Sequence, residues 1–216
     1  SMESPPSRRG AASRTRDRLL DAAETLFAKK GFGAVTTRAI LRAAGQRNES
    51  ALHYHFGGRQ GLIEALHERR LDQLAGYRGA FIEKLLNRKE PFFVQDLIGI
   101  HVQSIAGLAG RDEGFLAYFQ GIADLVCSSE GEFETLLDRY DRAPELEARQ
   151  RLVSTFSGVP FSLLRQRFNL GRRFILMAMV QWLRRHGHFR GKAAKAFLAD
   201  LPRLMEALLQ APAEAP

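Results

Sequence analysis

Along nearly the whole chain, apolar residues recur at the three- and four-residue spacing of an α-helix, and this constrains the fold more than any other feature. Leu19, Leu20, Ala23, Leu26 and Phe27 form one such stripe, with charged residues between them. Phe92, Phe93, Leu97, Ile100 and Ile105 form another behind Pro91, and Pro160 opens a long apolar helix through His186. No Val/Ile/Thr-rich segment alternates apolar with polar residues, so no strand is expected. The fold class that follows is all-α. Glycines mark the first joints: Gly31-Phe32-Gly33 closes a helix that begins near Thr15, Gly45 closes a second from Thr36 to Ala44, and Gly57-Gly58 follows a third from about Ser50 to Tyr54. A long helix then runs from about Gln60 to Leu86. Further helices are expected around Gly114–Ser128, Asp141–Phe156 and Ala193–Gln210, the last bent at Pro202.

The 216 residues, 45% apolar and 26% charged, suit a globular protein of one or two domains. A single cysteine, Cys127, excludes a disulfide scaffold and a Cys-rich zinc site. No run approaches the ~18 apolar residues of a membrane span, and no apolar segment of a secretory signal follows the N-terminus. No membrane partner is expected, and a cytoplasmic location is. Ser1-Met2 reads as an expression scar.

Charge is concentrated at one end. Residues 1–60 hold 11 Lys+Arg against 5 Asp+Glu, or +6, whereas residues 61–216 hold 21 against 19, or +2. A basic head on a near-neutral body points to nucleic acid, or else to a basic tail that aids solubility. The expected division is a flexible basic tail at 1–13, a helix-turn-helix DNA-binding domain at 14–59, a helical ligand-binding and dimerisation domain at 60–211, and a disordered end at 212–216.

Two short helices joined by a glycine turn and packed on a first helix outline a helix-turn-helix. The segment from about residue 15 to 65 resembles the TetR family of bacterial transcriptional regulators. The resemblance rests on Leu26-Phe27-Ala28-Lys29-Lys30-Gly31-Phe32, on Thr36-Thr37-Arg38-Ala39-Ile40-Leu41-Arg42-Ala43-Ala44-Gly45, and on Tyr54-His55-Phe56-Gly57-Gly58-Arg59-Gln60-Gly61-Leu62. This chain departs from the usual pattern in Leu41, where Ala is common, in Arg59, where Lys is common, and in a turn one residue longer. The longer turn leaves the register of base contacts open.

The chemistry expected of these residues follows. Leu19, Ala23, Leu26 and Phe27 pack the head, meeting Ile40, Ala43, Leu52 and Phe56. Thr36 caps the second helix, whose free N–H groups make a phosphate site, with Thr37 and Arg38 as further donors. The resemblance implies that this end lies on the DNA backbone. Gln46, Arg47, Asn48, Glu49 and Ser50 precede or open the third helix, where side chains reach base edges in the major groove. Arginine reads guanine, and Asn or Gln reads adenine, through paired hydrogen bonds. His53, Tyr54 and His55 supply donors near phosphates, and Arg59 is expected to clamp another. His53 and His55 are two apart and do not face one way, which argues against a metal pair. Arg8, Arg9, Arg14, Arg16 and Arg18 add nonspecific attraction through the tail.

In the body, Phe115 and Phe119 share a helix side and are expected to wall a pocket for a small hydrophobic effector, with Tyr118 and Gln166 as polar contacts. Gln103 and Asn169 are weaker polar candidates. Phe174, Met177, Trp182, Phe197, Leu204 and their neighbours suggest a two-helix face that pairs with a second copy. Neither a phosphate loop nor HExxH, GxSxG or paired cysteines are present, so no enzyme activity, cofactor or metal is expected. The function that fits is a homodimeric regulator on a palindromic double-stranded operator, a repressor released by its ligand. The alternative is a helical small-molecule carrier or enzyme with a basic docking module. The complete Thr36–Arg59 block, beside the missing catalytic set, separates the two.

Overall fold

A computed structural model of the chain describes residues 8–48, 50–123, 126, 135, 138–139, 141–156 and 158–212. The described residues contain helices and no strand. In chain order these are α1 (Arg8–Lys30), α2 (Thr37–Ala43), α3 (Ser50–Phe56), α4 (Arg59–Leu86), α5 (Val94–Ala109), α6 (Glu113–Gly121), α7 (Ala143–Val153), α8 (Phe161–His186) and α9 (Lys192–Gln210). Among the described residues no helix is long and apolar enough to cross a membrane.

Two boundaries differ from the sequence expectation. The helix expected from Thr15 begins at Arg8, so the supposed tail is helical from that point. Arg and Ala favour helix, but residues 8–13 carry no apolar stripe by which periodicity reveals one. Arg14, Arg16 and Arg18 therefore stand on a helix and not on an arm. Residues 1–7 and 213–216 of the two expected tails, with Cys127 and Ser128, lie outside the described residues. Pro202 sits inside α9, which continues past it to Gln210.

The head is built from α1, α2, α3 and the start of α4. Leu19, Leu20, Ala23, Phe27, Ile40, Leu41, Ala44, Leu52, Leu62 and Leu66 are its buried residues. Ala43, expected here, is exposed, and Ala44 takes its place. Leu41 is the reason: with Ile40 and Leu41 both inward, the centre of the α2 core face lies between them, which brings Ala44 in and turns Ala43 out. In the body, α5 packs between α4 and α9, α9 also packs on α8, and α6 packs on α1 and α5. The α1–α6 contact joins head to body.

Candidate nucleic-acid interface and effector cavity

Local hydrogen bonding fixes the two short helices. Thr36 is extended at φ −88°, ψ 153°, and the Ala39 N–H donates to its Oγ1 at 3.2 Å. At the other end, Gly45 at φ 68° closes α2. Its N–H donates to the Arg42 carbonyl at 3.1 Å, and the Gln46 N–H donates to that of Leu41 at 2.8 Å. These two bonds form a Schellman closure, and its left-handed residue favours glycine. Asn48 then starts α3. The Ser50 N–H and hydroxyl donate to its Oδ1 at 2.9 and 2.5 Å, and the Ala51 N–H donates to its carbonyl at 3.1 Å. Expected as an adenine reader, Asn48 thus spends its side-chain oxygen on the helix start, as Asn does at N-caps.

Leu52 is buried in the head, which sets the face α3 presents outward. Ser50, His53 and Tyr54, at i, i+3 and i+4, are exposed, and Tyr54 is 80% exposed. Thr36, Arg38, Arg47 and Asn48 are exposed beside them, while Thr37, Gln46 and His55 are half-buried. Phe56 is half-buried with the Arg16 guanidinium over its ring at 5.1 Å. Glu49 lies outside the described residues. The arrangement offers one polar, basic surface made by two helix N-termini and the turn between them.

Arg59 departs from its expected role. Its Nη1 donates to the Val35 carbonyl at 2.6 Å, its Nη2 donates to the Phe32 carbonyl, and its guanidinium lies over the Phe27 ring at 5.5 Å. The α1–α2 loop exposes carbonyls that no helix satisfies, and a half-buried arginine at the start of α4 meets them. In this structure Arg59 holds the head together through these two carbonyls.

Two buried contacts connect the head to the body. Arg70 of α4 donates through Nε and Nη2 to both oxygens of Glu24 of α1, at 2.5 and 2.6 Å. Its Nη1 donates to Gln73 Oε1 at 2.8 Å and to Asp112 Oδ2 at 3.2 Å, and Gln73 Nε2 donates to the same Asp112 oxygen at 2.7 Å. Asp112 also caps α6, accepting from the Phe115 N–H at 2.8 Å. Burial opposes the charge on Asp112, but Gln73, the Phe115 N–H and Arg70 together hold its carboxyl below the usual range. In the second contact, Phe27 stacks on Phe32, whose ring lies 5.7 Å from that of His67. His67 Nδ1 and the Tyr118 hydroxyl share a hydrogen bond of 2.9 Å. Burial lowers the His67 pKa to about 4, so the ring is neutral at pH 7.

Behind Tyr118 lies a cavity of about 110 Å³. Phe115, Tyr118, Phe119, Leu97, Val102 and Ile175 supply apolar lining. A polar end is formed by Arg78, His101, Asp141, Glu145, Arg149 and Arg172. Arg78 Nε donates to Glu145, and Arg149 Nη2 to Asp141. His101 is driven well below its ordinary pKa by burial and then by Arg78, Arg172 and Arg149. Gln166, an expected polar contact, is exposed and is not among the lining residues. Phe168, Arg172, Ile175 and Leu176 carry the inner face of α8, and Gln166, two residues before Phe168, points the other way. Gln103 and Asn169 also lie outside the cavity lining. The polar end went unread in the sequence. Its one signal was the spacing of Phe168 and Arg172, at i and i+4 on one side of a helix.

Residues 19–66 match the family model described as bacterial regulatory proteins, tetR family. The HTH-type transcriptional regulator YvkB of Bacillus subtilis (strain 168) is 28% identical over 184 residues, covering 78% of this chain and 91% of its own. A TetR family transcription regulator from Marinobacter aquaeolei VT8 superposes with a TM-score of 0.59 at 18% identity, over 89% of this chain and 97% of that one. The TetR family regulator PfmR from Thermus thermophilus does so with a TM-score of 0.50 at 21% identity, over 90% and 98%. Both structures share the fold.

Proposed function

We propose that this chain is a DNA-binding regulator of the TetR family, a homodimeric repressor released from its operator by a small hydrophobic effector. The observation that carries the reading is the continuous path from the cavity to the head. Tyr118 lines the cavity and bonds His67, which faces Phe32, whose carbonyl is held by Arg59 at the root of α2 and α3. An effector that shifts Tyr118 therefore acts on groups that set the head's position, and it works only by binding the two arrangements unequally.

Arg38 and the N-terminus of α2 position the head on phosphates, while Arg47, Ser50, His53 and Tyr54 face the bases. Apolar residues left exposed on α8 and α9 support the homodimer in this reading. Met179, Val180, Leu183 and Leu201 are buried within the subunit, but Phe174 and Leu204 are 46% and 42% exposed. Two copies paired there present two heads to half-sites about 34 Å apart, or a multiple of that, on a palindrome.

Gel shifts on DNA upstream of the coding region, against random competitor, test the reading. Arg38→Ala weakens binding to every sequence and reduces the log–log salt slope by roughly one. Arg47→Ala instead changes preference among sites, by about 1–3 kcal/mol if its contact is bidentate. Equal binding to operator and random DNA overturns the assignment, as does tight operator binding by a species that light scattering shows to be monomeric.

A further inference from the structure

From the polar end of the cavity, we infer that the effector is a compact hydrophobic carboxylate whose anionic group is taken by Arg172. The inference rests on the effector reading given above. Arg78 and Arg149 already have carboxylates, Glu145 and Asp141 respectively. Arg172 does not. Its Nη1 reaches Asp138 at 3.5 Å, and Asp138 is 61% exposed. Its Nε and Nη2 are shut from solvent and have no hydrogen-bond partner among the described residues.

Those two nitrogens lie along one edge of the planar guanidinium, the fork that matches both oxygens of a carboxylate. A buried donor pair without acceptors is costly, and a ligand anion supplies what is missing. Among the described lining residues three arginines stand against two carboxylates, with Asp138 also within 3.5 Å of Arg172 and 3.7 Å of Arg149, and His101 adds no positive charge because burial and these arginines hold its pKa well below the ordinary value. Burial also lowers the pKa of Arg172, with Asp141 and Asp138 opposing and Arg149 adding to the effect. Arg149 and Arg172 both lie over the Phe168 ring, at 5.6 and 5.5 Å, which fixes them at the cavity wall.

The rest of the lining sets the ligand's body. Phe115, Phe119, Ile105 and Ile175 offer no polar atom, so the part of the ligand that lies among them must be apolar. A cavity of about 110 Å³, against the ~150 Å³ of one that holds a benzene, limits the body to a short chain or at most one ring.

Calorimetry on the full-length protein tests this with benzoate and hexanoate against benzamide, which has the shape of benzoate without the charge. Both acids should bind, benzamide should bind about ten- to a hundredfold more weakly, and Arg172→Gln should remove that preference. Arg172→Lys, which keeps the charge and loses the fork, should fall between. Unfolding midpoints without ligand check that the variants are folded; if Arg172→Gln is not, the acid–amide comparison on the unaltered chain decides. Equal binding of benzoate and benzamide, or no binding of either acid at millimolar concentration, overturns the inference, and operator binding in the gel shift still stands. Preferential acid binding that leaves the operator complex intact supports the carboxylate site and removes its effector role.

Discussion

Arg70→Met removes the centre of the contact between head and body, and its cost follows from what it leaves behind. Glu24 is 2% exposed and receives two hydrogen bonds from Arg70, at 2.5 and 2.6 Å. Without them a carboxylate stays buried with its nearest remaining cation, Arg69, at 3.9 Å. Breaking one side of a buried pair costs about 3–5 kcal/mol, mostly as the penalty of the stranded charge. For a chain of 216 residues that is a fall in unfolding midpoint of roughly 6–20 °C. The pair itself is worth little against apolar packing, so replacing Glu24 by Leu together with Arg70 by Met should recover most of the loss. Differential scanning calorimetry at one fixed protein concentration measures both variants, since a dimer's midpoint depends on concentration. A loss below about 1 kcal/mol for Arg70→Met, or a double variant no better than the single, would show that Glu24 is not a stranded charge and refute the reasoning. The double variant should also bind operator yet respond poorly to ligand, because α1 and α6 no longer share a fixed partner.

Three further outcomes are expected. His67 is protonated near pH 6.5 when unfolded but only near 4 when folded, so its contribution is intact above pH 6.5 and lost as pH falls toward 4, to a limit of roughly 3 kcal/mol. His101 acts in the same direction, so the measurement is the difference between the stability–pH profiles of the unaltered chain and His67→Gln, and parallel profiles would rule the contribution out. Arg59→Ala should cost about 1–3 kcal/mol of stability from the two freed carbonyls while leaving the salt slope of DNA binding unchanged; a slope lower by one would restore it as a phosphate contact. At Gly171 an added Cβ would fall on Met205 Sδ, a buried side chain, so overpacking of about 1–3 kcal/mol should outweigh the roughly 1 kcal/mol that alanine gains in a helix. A raised midpoint for Gly171→Ala would mean that Met205 swings aside.

The head was legible because its signals are local. Thr36, Gly45 and Gly57-Gly58 act on residues three or four away, and the structure ends its helices at them. The start of α1 was not legible, since residues 8–13 form helix without an apolar face. Arg59 and Asn48 show a different limit. Sequence supplies a donor and an acceptor of the right type at the right place, but their partners, the carbonyls of Phe32 and Val35 and the first turn of α3, are decided by three-dimensional packing. The cavity was half legible. Phe115 and Phe119 share a side by helical spacing alone, whereas Arg78, Arg149 and Arg172 come from three helices and meet only in the fold.

If the proposed effector moves the head through α4, that helix is a lever with unequal arms. From a fulcrum at Arg70, eight residues lead to Arg78 at the cavity and eleven lead back to Arg59 at the head, roughly 12 and 16 Å. The mechanical gain is therefore only about 1.3, so a displacement of 1 Å at Arg78 moves the head end by little more than that. In the proposed dimer the two heads move oppositely, and their spacing changes by roughly 3 Å against the ~34 Å between successive major grooves. A gear this low separates occupancy from response. On the proposed mechanism, a molecule that fills the cavity without displacing Tyr118 or Arg78 stays silent on DNA, and tight binders of this chain divide into inducers and competitive blockers according to whether they move either group.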